Sequence, residues 1–266
     1  MNKQTKVWLV LSIALSLLAI SSSCGGTKTG EGPAANTNGG GATAEKWTGG
    51  TGTISGVVSF NGTPPAPRKI DTAADPVCGQ KNPNLVTDDT LVKDGKLANV
   101  FVYVKEGTVE GGKKLADYTW DTPTSEVQLD QNGCHYAPHV LGIQVGQPLQ
   151  IVNSDDTLHN VHGLPMVNKE FNQGQPIQGM KMTHTFSTKE VMVPFKCDVH
   201  GWMNAWIGVV DHPYYAVTST DGSFSLKGLP PGTYTIEAWH EKLGTQTQTV
   251  TVGEKETKDI AFAFKA

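Results

Sequence analysis

Charge is scarce in this chain: Asp, Glu, Lys and Arg make up 17% of 266 residues. The formal net charge is −4, so no excess of basic residues invites nucleic acid or an anionic membrane surface. No stretch after residue 24 repeats its apolar residues every three or four positions, which excludes a helical architecture. No apolar run is long enough to cross a bilayer. The longest, Val7 to Ile20, falls short of the roughly 20 residues a spanning helix needs. No nucleophile–base motif appears. Cysteine is also sparse, at four residues, so each one can be weighed singly.

What is present is a series of short runs rich in Val, Ile, Phe, Tyr and Thr, broken by Gly, Pro, Asn and Asp. Thr53–Phe60 ends at Asn61-Gly62, a hairpin signal. Val100–Val104 reads as a buried strand. Ser223–Leu226 and Thr233–Trp239 flank Leu229-Pro-Pro-Gly232, a tight turn, and Thr247–Val252 and Ile260–Phe264 follow. These patterns predict an all-β chain of sandwich architecture.

The densest chemistry lies in Val193-Pro-Phe-Lys-Cys-Asp-Val-His-Gly-Trp-Met203, which holds a thiolate, an imidazole and a thioether at Cys197, His200 and Met203. Upstream, Asn153-Ser-Asp-Asp-Thr-Leu-His-Asn160 offers His159. Two His, one Cys and a weak Met suit a mononuclear copper that shuttles electrons, because soft sulfur favours Cu(I) and imidazole also accepts Cu(II). From about Glu126 to Asp211 the chain resembles a cupredoxin, the plastocyanin and azurin family. A strand, Val145–Asn153, leads to the first His, and Phe195 stands two before Cys197 on the same strand face. The resemblance implies a Greek-key sandwich and copper ligands His159, Cys197, His200 and Met203. The His-x-x-Met spacing is shorter than in plastocyanin and resembles the dinuclear loop of cytochrome oxidase subunit II. That loop needs two Cys, so a single copper is expected here. Zinc is the alternative for a Cys/His set, and a buried Cys can also be mere packing. His162, at an odd offset from His159, is expected on the opposite strand face. His135, His139, His184, His212 and His240 lack ligand spacing and read as structural. Gly163-Leu-Pro-Met166 and Gly201-Trp202 suggest an apolar patch around an exposed edge of His200, where partners could approach. Equally, Trp202 and Trp206 could simply pack in the core.

At the N-terminus, Lys3 and Lys6 precede the apolar run, as in a signal peptide. Ser21-Ser-Ser-Cys24-Gly-Gly resembles a bacterial lipoprotein cleavage site, although Ser21 stands where that family prefers Leu. The resemblance implies a lipid on Cys24; an unlipidated secreted protein is the alternative. Cleavage there would remove Lys3 and Lys6 and take the net charge to −6. Residues 25–50 are rich in Gly, Thr, Ala and Asn and read as a flexible tether, or as a disordered leader with no reach to provide.

Asp221-Gly-Ser-Phe-Ser-Leu-Lys-Gly-Leu-Pro-Pro-Gly-Thr-Tyr-Thr-Ile-Glu-Ala-Trp239 resembles the carboxypeptidase regulatory-like domain, a transthyretin-like sandwich. The strands Gly52–Ser59 and Leu97–Val104 resemble its opening strands, yet they precede the cupredoxin-like segment. The expected order is a signal peptide at 1–23, Cys24 and a linker at 24–50, a first part of the regulatory-like sandwich at 51–122, a cupredoxin at 123–211 and the second part at 212–266. The cupredoxin would thus be inserted into the other sandwich; domains in a simple row are the alternative. With Cys24 and Cys197 assigned through these resemblances, Cys78 and Cys134 are expected to bond in an oxidising compartment. Cys134-His135 as a second metal site is the other possibility. The function expected is a lipid-anchored, non-enzymatic electron carrier that meets redox partner proteins in the cell envelope. A binding module that holds copper or recognises polysaccharide or protein is the alternative.

Overall fold

The computed structural model describes residues 44–266, and the expected signal segment, Cys24 and most of the linker lie outside them. The described chain is all-β, with one six-residue α-helix, α1 (Pro76–Lys81), and a 3-10 turn at Leu115–Asp117. Its larger sheets form two sandwiches.

The central sandwich uses strands between Val127 and Val210. One sheet runs Lys181–His184, Leu149–Asn153, Val127–Gln131, Tyr136–Ala137. The facing sheet runs Phe171–Gln175, His159–Gly163, Glu190–Lys196, Asn204–Val210, Val140–Gln144. Leu129, Ile143, Ile151, Val161, Phe186, Val193, Phe195 and Ile207 fill the space between them.

The flanking sandwich draws its strands from both sides of that block. Gly52–Asn61 pairs antiparallel with Ser223–Leu229 and parallel with Thr257–Lys265. The opposing sheet contains Tyr215–Val217, Phe101–Val109, Gly232–His240 and Gly244–Val252. The strand Ser223–Leu229 alternates exposed Ser223, Ser225 and Lys227 with buried Phe224 and Leu226, the period a one-sided strand requires, until a register shift between Lys227 and Leu229 brings Leu229 inside. Ile54, Val58, Val102, Val104, Tyr234, Ile236, Phe262 and Phe264 make this second core.

The two sandwiches meet through a small third cluster that includes Phe101, Tyr103, Val140, Met192 and Val210, with Trp206 and Trp239 packed against it. Two glycines make the approach possible. Gly142 and Gly208 are register partners on adjacent strands of the central sandwich. A Cβ would come within 2.4 Å of Tyr215 at Gly142 and within 2.4 Å of Phe101 at Gly208.

The hairpin expected at Asn61-Gly62 does not form. The strand ends at Asn61, and the chain leaves the sheet until Val92–Lys93. The residues that follow Gly62 explain this. Pro64, Pro65 and Pro67 supply no N–H to a returning ladder, so no strand can pair back. The excursion instead crosses to the central sandwich, carrying α1, and Cys78 becomes part of that sandwich's core. This crossing decides how the candidate site is covered.

Candidate metal centre

The strand Leu149–Asn153 ends at a buried asparagine that shapes the next loop. Asn153 Oδ1 accepts from the Asp155 N–H at 2.9 Å, and its amide donates to the carbonyls of Thr157 and Gln175 at 2.9 and 2.8 Å. The loop delivers His159 to the first position of the strand His159–Gly163, wholly buried. On the neighbouring strand Phe195, and just past its end Cys197, belong to the same core. The chain closes back at once: Cys197 N–H donates to Met203 O at 3.1 Å and Met203 N–H to His200 O at 2.9 Å. That tight loop sets Cys197, His200 and Met203 together, all buried.

Donor atoms of His159, Cys197 and His200 lie within 4.8 Å of one another. The two Nδ1 atoms are 3.0 Å apart, and His200 Nδ1 is 3.9 Å from Cys197 Sγ. Nitrogens about 2.0 Å from one tetrahedral ion stand roughly 3.3 Å apart, so the spacing fits a shared metal. Both imidazoles turn the other nitrogen to a carboxylate. His159 Nε2 donates to Asp155 at 3.0 Å and His200 Nε2 donates to Asp75 at 3.1 Å. This fixes each tautomer and leaves both Nδ1 lone pairs for the centre, the outer-shell arrangement of histidine metal sites. Met203 is buried in the same core, and its backbone closes the same loop.

The electrostatics suit a bound cation. Burial alone would push the Cys197 thiol up. The polar surroundings of His159 and His200, with the N–H groups of Asn160 and His200, bring it down to about 5 instead. Burial opposes the charged form of His159, but Asp155 and the Cys197 thiolate raise its affinity for a proton. A proton and a metal cation compete for such a position. Asp155 is buried, which alone disfavours its charge. His159, Lys81 and the N–H groups of Cys134 and Gly133 overcome this and hold it well below the usual carboxylate range. Gly133 and Cys134 both have positive φ, 68° and 58°, so their two N–H groups converge on Asp155 as a small anion nest.

Cys78 and Cys134 form a disulfide, and it lies against the centre. Cys78 Sγ is 3.7 Å from His200 Nε2, and Cys134, Asp155 and His159 form an overlapping cluster of donor atoms. Asp75 caps α1, accepting from Val77 and Cys78 N–H, and its second oxygen accepts from Thr157 and His200. The expected exposed edge of His200 is therefore absent. The residue is 3% exposed, because α1, Asp75 and the disulfide sit over its outward nitrogen. Met166, expected in an apolar patch, is 96% exposed. Trp202 packs against His200 with ring centroids 5.1 Å apart and donates to Cys134 O at 2.9 Å. Trp206 instead packs at a tilt against Trp239 between the sandwiches, with ring centroids 5.1 Å apart.

His162 is bound by Asp198 and Glu170 near the surface. His139 pairs with Glu241, while His212 bonds Val104 O. His135 bonds its neighbour Gly133 O, and His184 stacks on Phe171.

Asp75 and Asp155 were not singled out in the sequence. Asp155 had a legible signal, a carboxylate four residues before His159. Asp75 had only that of a helix cap, Asp before Pro.

Residues 204–265 match the family model of the carboxypeptidase regulatory-like domain. The match opens in the strand Asn204–Val210 of the central sandwich and runs through the closing strands of the flanking one. Among solved structures, the chain is similar to a copper-containing nitrite reductase from Thermus scotoductus SA-01, at 21% identity and TM-score 0.31, covering 33% of this chain and 23% of that one. It thus spans about a quarter of that enzyme's length. It is also similar to a purple cupredoxin from Nitrosopumilus maritimus, at 22% identity and TM-score 0.28, covering 31% of this chain and 98% of that one. A Cu(I) amicyanin variant matches at 20% identity and TM-score 0.29, covering 34% and 86%. No curated protein matches in sequence.

Proposed function

We propose that this protein holds one copper ion and carries electrons between redox partner proteins of the cell envelope. His159 Nδ1, His200 Nδ1 and Cys197 Sγ would hold the metal, with Met203 as a weak fourth donor. The observation that carries the reading is the convergence of these three donors in a buried pocket whose imidazoles are each tied back to a carboxylate. When bound, copper supplies reversible one-electron chemistry. The chain's own residues hold the donors in one geometry for both oxidation states, which keeps reorganisation small. The thioether, which is not among the usual zinc donors, favours copper over zinc. Burial favours a carrier over an enzyme, since an electron can cross a closed shell and a substrate cannot. His159, Cys197 and Met203 are each no more than 1% exposed.

The test is to add Cu(II) to the protein beginning at the folded part. An intense thiolate-to-copper band is expected, lost in Cys197→Ser. A colourless complex, or colour that survives that substitution, would sink the assignment. Met203→Leu should retain copper and raise the potential.

We also read the central sandwich as a domain inserted into the flanking one, and the chain as a lipoprotein anchored at Cys24. In cells Cys24→Ser should move the protein from the membrane fraction to the soluble one; retention would point to an uncleaved leader or a partner.

A further inference from the structure

The burial of His200 raises the question of where electrons enter. Taking the copper reading as given, we propose that Trp202 is the electron port and that its surroundings receive an anionic partner. His159, Cys197, His200 and Met203 are all buried. The way out along His200 Nε2 is closed by Asp75 at 3.1 Å and by the disulfide sulfur of Cys78 at 3.7 Å. Helix α1 is fastened there further, by Thr157 bonding Asp75 and by Lys81 bonding Asp155 and Ser154. Two aromatic rings touch His200 among the described residues: His159, itself wholly buried, and Trp202, which is only half-buried. Trp202 lies in the ligand loop between His200 and Met203, and its hydrogen bond to Cys134 O holds the ring in place. Trp202 also lines a cleft of about 330 Å³ shared with Arg68, Lys69, Asp88, Asp89 and Lys242. The indole therefore bridges a ligand and solvent, and tunnelling falls steeply with distance, so this route wins over any path through packed aliphatic core.

The cleft's charges identify the occupant. Asp89 lies 3.6 Å from Lys242 and Asp88 lies 3.6 Å from His139. Arg68, the sole arginine of the chain, and Lys69 are exposed and form no ion pair among the described residues. The rim thus keeps uncompensated positive charge although the chain as a whole is acidic. A partner that presents carboxylates around its redox centre fits it, and such steering acts on the association rate.

Copper-loaded, reduced protein mixed with ferricyanide in a stopped-flow instrument tests this. One electron passes from Cu(I) to Fe(III), giving Cu(II) and ferrocyanide, with no bond made or broken. The thiolate band reports the rate, and each variant is normalised for copper content and midpoint potential. Trp202→Leu should react at least ten-fold more slowly than its potential accounts for, and Trp202→Phe should be intermediate. Arg68→Glu/Lys69→Glu lies on the exposed rim. At low salt it should slow ferricyanide and speed a cationic cobalt(III) oxidant, and both effects should fade as salt screens them. A Trp202→Leu protein that takes up copper and reacts at the wild-type rate overturns the port. Rates in the double variant that ignore the oxidant's charge overturn the anionic partner. Wild-type protein without a thiolate band overturns the copper reading itself, and the port with it.

Discussion

Asp75 and His200 stand 125 positions apart, and Asp75 Oδ2 accepts a hydrogen bond from His200 Nε2 at 3.1 Å. Burial alone would raise the Asp75 pKa. Hydrogen bonds from Thr157, from the N–H groups of Cys78 and Val77 and from His200 hold it at about 2 instead. The carboxylate therefore stays ionised at neutral pH and strengthens the imidazole as a donor. Asp75→Asn keeps the shape and an acceptor but removes the charge. Cu(II) affinity should fall by about 10- to 100-fold, the usual effect of losing such a partner, and the potential should rise. Chelator competition and voltammetry measure both. Unchanged values would mean that Asp75 merely caps α1.

Cys197 sets a pH dependence in the metal-free protein. Its folded pKa of about 5 lies below the ordinary thiol value of 9.0. Stability from the thiolate is thus fully present above the ordinary value and is lost as pH falls through about 5. Ultraviolet thiolate absorbance should already be present at neutral pH and disappear near pH 5. A midpoint at the ordinary thiol value would contradict the hydrogen-bonded pocket.

The disulfide closes a separation of 56 residues. Cys78→Ser/Cys134→Ser should lower stability by roughly 4 kcal/mol on chain-entropy grounds, less any strain. A bond remote from the metal would leave the spectrum untouched. Here Cys78 Sγ lies 3.7 Å from His200 Nε2, so the double variant should also shift the thiolate band. Denaturant melts and visible spectra read the two effects separately.

Between the sandwiches, His139 and Glu241 form an ion pair with side chains 4% and 6% exposed. Burial works against the charged imidazole, yet Glu241 and Asp88 raise its pKa. Stability from this pair is therefore fully present below the ordinary histidine value of 6.5 and is lost as pH rises through the higher folded value. The melting temperature should fall on the alkaline side of that value. His139→Gln should flatten the dependence and cost about 3–5 kcal/mol, the range for breaking a buried pair from one side. A wild-type melting curve unaffected by pH in that range would exclude a charged His139.

Much of the site was legible before any fold was known. Cys197, His200 and Met203 lie within one tight loop, and chain connectivity alone keeps them together. The strand classes were legible for a similar reason: alternation in Ser223–Leu229 is a local property of residues that face core and solvent in turn. The Pro-rich run after Gly62 also carried its consequence locally, since prolines cannot donate to a ladder. What the sequence could not state was which surface the excursion after Gly62 would reach. Its landing on the central sandwich depends on shape: glycines 142 and 208 admit Phe101 and Tyr215, the sandwiches meet, and the segment from Asp71 to Thr87 is carried over the ligand loop. Only then do Asp75 and the disulfide meet His200 and close its edge. Local patterns record which residues a strand or loop brings together. Contacts made across 125 positions arise from the packing of whole layers, and no short stretch of sequence encodes them.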